Sequence, residues 1–67
     1  MDWTRRVNEL HQMARDYDAE STATVAEYPT VAAYIDDLME VIRESEPELN
    51  TDELDVISEE LARIYES

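Results

Sequence analysis

The chain has 67 residues and a net charge of −13, from 18 acidic residues against five arginines and no lysine. This length allows one small domain, and the absence of cysteine excludes disulfides and thiolate metal sites. The charge argues against direct binding to nucleic acid or to an anionic membrane, because lysine and arginine provide the affinity for phosphate.

A domain of this size is only marginally stable unless something reinforces it. The available means are well-packed helices or self-association, so a homodimer is one alternative that size alone leaves open. No apolar run approaches the roughly 20 residues that cross a bilayer, and no apolar stretch follows the N-terminal arginines as in a signal peptide. We therefore expect a cytoplasmic location.

The first predicted helix covers residues 2–20, with an extension to residue 27 as the alternative. Asp2 is placed to cap its N-terminus. Pro29 would end the longer version, and the β-branched residues within 21–25 favour the shorter one, with a separate turn after it. The apolar residues of this helix recur at steps of three and four, as on one helical face: Trp3, Val7, Leu10, Ala14 and Tyr17.

The second predicted helix covers residues 30–45 and the third covers residues 51–66. Thr30 is a good N-cap residue, and Asn50 with Glu53 resembles a capping box. Three amphipathic helices with short links predict an all-α three-helix bundle, with completion by a second copy as the alternative. The apolar faces comprise Val31, Tyr34, Ile35, Leu38 and Ile42 with Met39 beside them, and Leu54, Ile57, Leu61 and Ile64.

The charge is unevenly distributed, since residues 1–17 sum to zero and residues 18–67 carry the whole −13. Acidic residues one helical turn apart lie with Cβ atoms roughly 5–6 Å apart, similar to successive phosphates of a nucleic acid. This spacing predicts a face that binds the basic surface of a nucleic-acid-binding protein, as a phage-encoded anti-defence inhibitor would. The predicted face comprises Asp36, Asp37, Glu40, Glu44, Asp52, Asp55 and Glu59, flanked by Glu53 and Glu60.

Two other interpretations of the acidity are open. One is a structural or regulatory interaction protein whose acidic surface is adapted to high salt, with the carboxylates simply solvated. The other is a calcium-responsive module, because segment 16–27 places acidic residues at positions one, three, five and twelve of an EF-hand-like loop. Ser21 stands where that loop needs glycine, which favours a chance pattern and predicts no metal or cofactor. The four candidate ligands are Asp16, Asp18, Glu20 and Glu27.

Catalysis is not expected from this composition. His11 is the only histidine, and the chain has no glycine from which to build a nucleophile elbow or a phosphate loop. Three short helices also offer little cleft in which paired carboxylates could face each other. For Trp3 we expect core packing, and for the arginines of the first helix we expect pairing with the protein's own acidic residues.

Overall fold

The computed structural model describes residues 2–21 and 25–66, which form three α-helices and a short 3-10 turn. Helix α1 spans Trp3–Glu20, α2 spans Val31–Ser45 and α3 spans Thr51–Glu66, with the 3-10 turn at Val25–Glu27. The predicted all-α three-helix architecture is confirmed. The shorter version of the first helix is the right one; residues 22–24 lie outside the described residues.

Each helix begins where its sequence predicts, because a side chain satisfies a free backbone N–H group in the first turn. The Asp2 carboxylate accepts a hydrogen bond from the backbone N–H of Thr4 at 3.0 Å. The Thr30 hydroxyl accepts one from the backbone N–H of Ala33 at 3.1 Å. The predicted capping box is also confirmed. Asn50 Oδ1 accepts from the backbone N–H of Glu53 at 2.8 Å, and Glu53 Oε1 accepts from the backbone N–H of Asn50 at 3.1 Å.

The three helices run up, down and up, so α1 and α3 are parallel. Two ion pairs show this order: Arg6 of α1 meets Glu53 near the start of α3, and Arg15 meets Glu60 two turns further along both helices. Helix α3 packs against both of its neighbours, whereas α1 and α2 touch each other much less. The side of the bundle between α1 and α2 is consequently more open than the other two.

The core lies where the apolar faces of the helices meet, and α2 contributes five of the ten buried apolar residues in the described part of the chain. Two predicted core residues are wrong. Trp3 is 50% exposed and Ile64 is 39% exposed; Trp3 lies in the first turn of α1, and at the end of α3 it is Tyr65 that packs against the core in place of Ile64. The buried apolar residues are Leu10, Ala14, Tyr34, Ile35, Leu38, Met39, Ile42, Leu49, Ile57 and Leu61.

A tyrosine cluster joins all three helices at one end of the bundle. Tyr34 and Tyr65 both donate to the same carboxylate oxygen of Asp18, each at 2.5 Å, and their rings meet edge to face with centroids 5.5 Å apart. Burial, and then the hydrogen bond to Asp18, raises the pKa of Tyr65 well above its ordinary value. The Asp18 carboxylate thus links α1 to α2 and α3 through these two hydrogen bonds.

No helix within the described ranges is both long enough and apolar enough to cross a membrane.

Candidate protein-binding surface

The acidic residues of α2 lie on the face opposite its core residues. Asp36, Glu40 and Glu44 follow one another at intervals of one helical turn, with Asp37 beside them, and all four are exposed. The Tyr28 hydroxyl donates to Asp37, so that carboxylate is held in place by the turn that precedes α2. The first predicted row is therefore a solvent-facing row.

The acidic residues of α3 are arranged in the same way. Asp52, Asp55 and Glu59 are exposed, and they lie at intervals of three and four residues, away from the buried Ile57 and Leu61. The same periodicity that directs the apolar residues inward directs these three outward.

Two adjoining depressions lie beside these residues, one along α2 and the other between α2 and α3. One, of about 550 Å³, is lined on α2 by Asp36, Asp37 and Glu40. The other, of about 400 Å³, lies between the helices and includes Asp55. Met39 and Arg43 line both depressions, so the two lie next to each other. We call the exposed carboxylates of both rows the acidic outer face: Asp36, Asp37, Glu40, Glu44, Asp52, Asp55 and Glu59.

Arg43 is a residue of this surface that the sequence analysis missed. It is exposed, it lines both depressions, and within the described part of the chain it has no carboxylate within ion-pair distance. Its spacing carried the signal, since it follows Asp36 by seven residues and Glu40 by three. The surface thus holds one cation among its carboxylates.

The two flanking glutamates lie outside the acidic outer face and have arginine partners within the fold. Glu60 is 2% exposed and accepts from Arg15 at 3.0 Å and from Arg63 at 2.6 Å. Glu53 accepts from Arg6 at 2.6 Å. For Arg6 and Arg15, the predicted pairing with the protein's own acidic residues is confirmed.

The pKa values of these two carboxyls follow from their surroundings. Burial alone would raise the pKa of Glu60, but hydrogen bonds and charge from Arg63, with further charge from His11 and Arg15, hold it below the ordinary value. The Asn50 backbone N–H, and then Arg6, lower the pKa of Glu53. Both groups are thus held ionised by partners within the fold.

The ion pairs within residues 2–21 and 25–66 use only Glu9, Glu53 and Glu60 as acids. All seven carboxylates of the acidic outer face therefore lack a cationic partner among the described residues. Their charge faces solvent, with the exposed Arg43 as a nearby cation that forms no ion pair with them.

The candidate calcium ligands do not form a loop in the part of the segment that the structure describes. Asp16, Asp18 and Glu20 lie in the last turns of α1, and Asp18 accepts the two tyrosine hydroxyls instead. Glu27 ends the 3-10 turn, and positions 22–24 lie outside the described residues. An EF-hand needs a non-helical loop that turns its ligands inward. The described residues contain no group of three acidic or histidine side chains able to hold a metal ion.

The fold and this surface define a class: a small, acidic, all-α three-helix protein with a charged outer face. In comparisons with known proteins, no family model, no curated protein and no solved structure matches this chain.

Proposed function

We propose that this protein is a non-enzymatic binding protein whose acidic outer face occupies the basic nucleic-acid-binding surface of a partner protein. One observation carries the proposal. The seven carboxylates of that face are exposed, periodic and without a cationic partner in the described structure, whereas Glu53 and Glu60 have one.

The physical chemistry of such a face suits imitation of a nucleic acid. Carboxylates one helical turn apart repel each other by a few tenths of a kcal/mol per pair, and interspersed lysines would relieve that repulsion. A surface that keeps the repulsion gains a dense, rigid row of negative charge. A basic groove would meet it with favourable Coulomb energy and fast, salt-sensitive association. The proposed role is that of an inhibitor in the cytoplasm, or in the host cytoplasm if the protein is viral.

The first experiment is capture of the partner from native cell lysate by the immobilised full chain. The test variant combines Asp36→Asn, Glu40→Gln and Asp55→Asn, which border the two depressions of the acidic outer face. We expect the variant to remain helical by circular dichroism and to lose capture of the wild-type partner. Retained capture would contradict the proposal.

A matched control removes the same charge elsewhere. Glu9→Gln, Asp16→Asn and Glu66→Gln neutralise three exposed carboxylates outside the acidic outer face. If net charge alone attracts the partner, both triple variants will weaken capture equally. If the acidic outer face is the site, only the first will.

Nucleic-acid mimicry also predicts competition. A short DNA or RNA duplex should elute the captured partner, because both ligands would occupy one basic surface, and rising salt should weaken capture steeply. A partner that is indifferent to both would not be bound through this face.

A second candidate is an interaction protein whose acidity is adaptation to high salt. The structure offers one observation in its favour, since α1 also exposes acidic residues, namely Glu9, Asp16 and Glu20. This function predicts that the fold gains stability with salt while partner binding does not change. The salt series on the captured complex separates the two candidates directly.

A further inference from the structure

The open side between α1 and α2 contains a largely apolar groove of about 310 Å³. Tyr17 of α1 faces Leu38 and Val41 of α2 across it, with Glu20 and Ser21 at the end of α1. Because α1 and α2 make few contacts with each other, this groove separates two helices that are both anchored on α3. It shares no lining residue with either depression of the acidic outer face.

Val41 is the unusual residue of this groove. It is 49% exposed, although it lies in the middle of α2 and not in a terminal turn. Leu38 is 6% exposed and Tyr17 packs against the core, so Val41 extends an apolar surface outward from the core to solvent. An apolar side chain of a partner placed in the groove would cover this surface, in the way that the fourth helix of a four-helix bundle covers the other three.

The charge around the groove indicates what kind of partner would bind in it. Glu44 lies three residues after Val41, so it shares its side of α2. Glu20 lines the groove from α1. Both carboxylates are exposed, and neither forms an ion pair within the described ranges. The groove thus has an apolar floor and acidic residues on both sides.

We propose that this groove binds an amphipathic basic helix of a partner protein. A large apolar side chain of that helix packs against Tyr17, Leu38 and Val41, and its flanking lysines or arginines pair with the carboxylates on either side. A groove between two helices is a common receptor for an amphipathic helix. A second copy of the chain is a poorer match, because it carries a net charge of −13 and would bring like charges to this site. The proposal does not depend on the nucleic-acid mimicry.

The probe is a synthetic peptide of about 18 residues built from leucine, lysine and alanine, with leucines at i, i+3, i+4 and i+7. A scrambled peptide of the same composition has no apolar face and measures charge attraction alone. Binding to the full chain is followed by fluorescence anisotropy at low and at high salt. We expect the amphipathic peptide to bind more tightly than the scrambled one, with the difference retained at high salt because apolar contacts are not screened.

Val41→Ser removes the exposed apolar surface without touching a buried residue. We expect it to lower the affinity for the amphipathic peptide by about tenfold, because the complex would lose the burial of part of one aliphatic side chain. Ile64→Ser is the matched control, since it makes a similarly exposed aliphatic residue polar on α3, outside the groove. It should leave the affinity unchanged. When the amphipathic peptide is added to the wild-type protein, the amide chemical shifts of the groove residues, such as Leu38 and Val41, should change.

Equal affinity for the two peptides, or no effect of Val41→Ser, would overturn the proposal. So would a homodimer in sedimentation equilibrium that Val41→Ser dissociates, because a second copy would then occupy the groove. Failure here differs from failure of the proposed function. The groove is tested with a peptide and Val41, and the acidic outer face is tested with nucleic-acid competition and a triple variant that leaves the groove unchanged.

Discussion

Glu60 shows how one residue can look like part of a charged surface and be part of the interior. It lies beside Glu59 in sequence, yet Glu59 is exposed and Glu60 is 2% exposed. A buried carboxylate is costly unless its charge is paired and its oxygens accept hydrogen bonds. Arg15 and Arg63 supply both, one from α1 and one from the next turn of α3. Glu60 therefore ties α1 to α3.

Replacing Glu60 with glutamine should destabilise the protein by about 1.5–3 kcal/mol at neutral pH, because charge-assisted hydrogen bonds to two arginines are lost. In a domain of this size each kcal/mol lowers the melting temperature by about 4–8 °C. Thermal unfolding followed by circular dichroism measures the change. Glu59→Gln removes the same charge from an exposed neighbour and should have little effect; equal losses would contradict the role given to Glu60.

The melting temperatures of the wild type and of Glu60→Gln should differ less at acidic pH. The pKa of Glu60 is lower in the folded protein than its ordinary value of 4.5, so its carboxylate stabilises the fold above that pH. The contribution is lost as the pH falls through the folded-state pKa and the carboxyl takes up a proton. The gap in melting temperature between wild type and Glu60→Gln should accordingly narrow below pH 4.5. A gap that stays constant with pH would show that ionisation of Glu60 does not matter.

At the scale of the elements, α2 follows its sequence most closely. Its predicted face is buried from Tyr34 to Ile42, and its cap is the predicted Thr30. The apolar faces of α1 and α3 are correct in the middle and wrong at one end each, at Trp3 and Ile64. Periodicity indicates which side of a helix is apolar. Which residues of that side are covered by neighbouring helices depends on how all three helices pack.

The start of α3 combines local and tertiary contacts in one side chain. Glu53 completes the capping box with Asn50 and also accepts from Arg6 of α1. The capping box was predictable because it lies within four residues of sequence. The contact with Arg6 spans 47 residues and follows from the parallel packing of α1 and α3.

Asn50→Ala should cost about 1 kcal/mol, the usual effect of removing an N-cap side chain. Hydrogen exchange should accelerate in the first turn of α3 before it does so elsewhere, because the backbone N–H of Glu53 loses its acceptor. Asn50→Ser keeps a capping oxygen and serves as the control. If alanine and serine behave alike in chemical denaturation and exchange, the cap does not stabilise this helix.

At the scale of the whole molecule, folding redistributes the charge that the sequence divides into a neutral and an acidic part. Arg6 and Arg15 of the neutral part direct their charge onto Glu53 and Glu60 of α3. Helix α1 is left with exposed carboxylates of its own. The neutral segment is therefore not a neutral face, and the local distinction is between carboxylates that have an arginine partner and carboxylates that have none among the described residues.

The net charge of −13 should make the fold salt-dependent. Self-repulsion among the exposed carboxylates opposes the compact state, and counterions screen it, so the melting temperature should rise from low salt to molar salt. The Asp36→Asn, Glu40→Gln and Asp55→Asn triple variant should show a shallower rise, because it carries less of this repulsion. A melting temperature that stays flat for the wild type would rule out repulsion as a significant term.

The sequence by itself determined the helices, their caps and the seven exposed carboxylates of α2 and α3, because each depends on contacts within one or two helical turns. Only the tertiary structure decided which acidic residues have partners. Glu53 and Glu60 each follow an outer carboxylate by one residue, which turns them about 100° away from the outer row, and Arg6 and Arg15 of α1 meet them there. The groove beside Val41 was likewise not predictable, since it exists because α1 and α2 pack on α3 more than on each other.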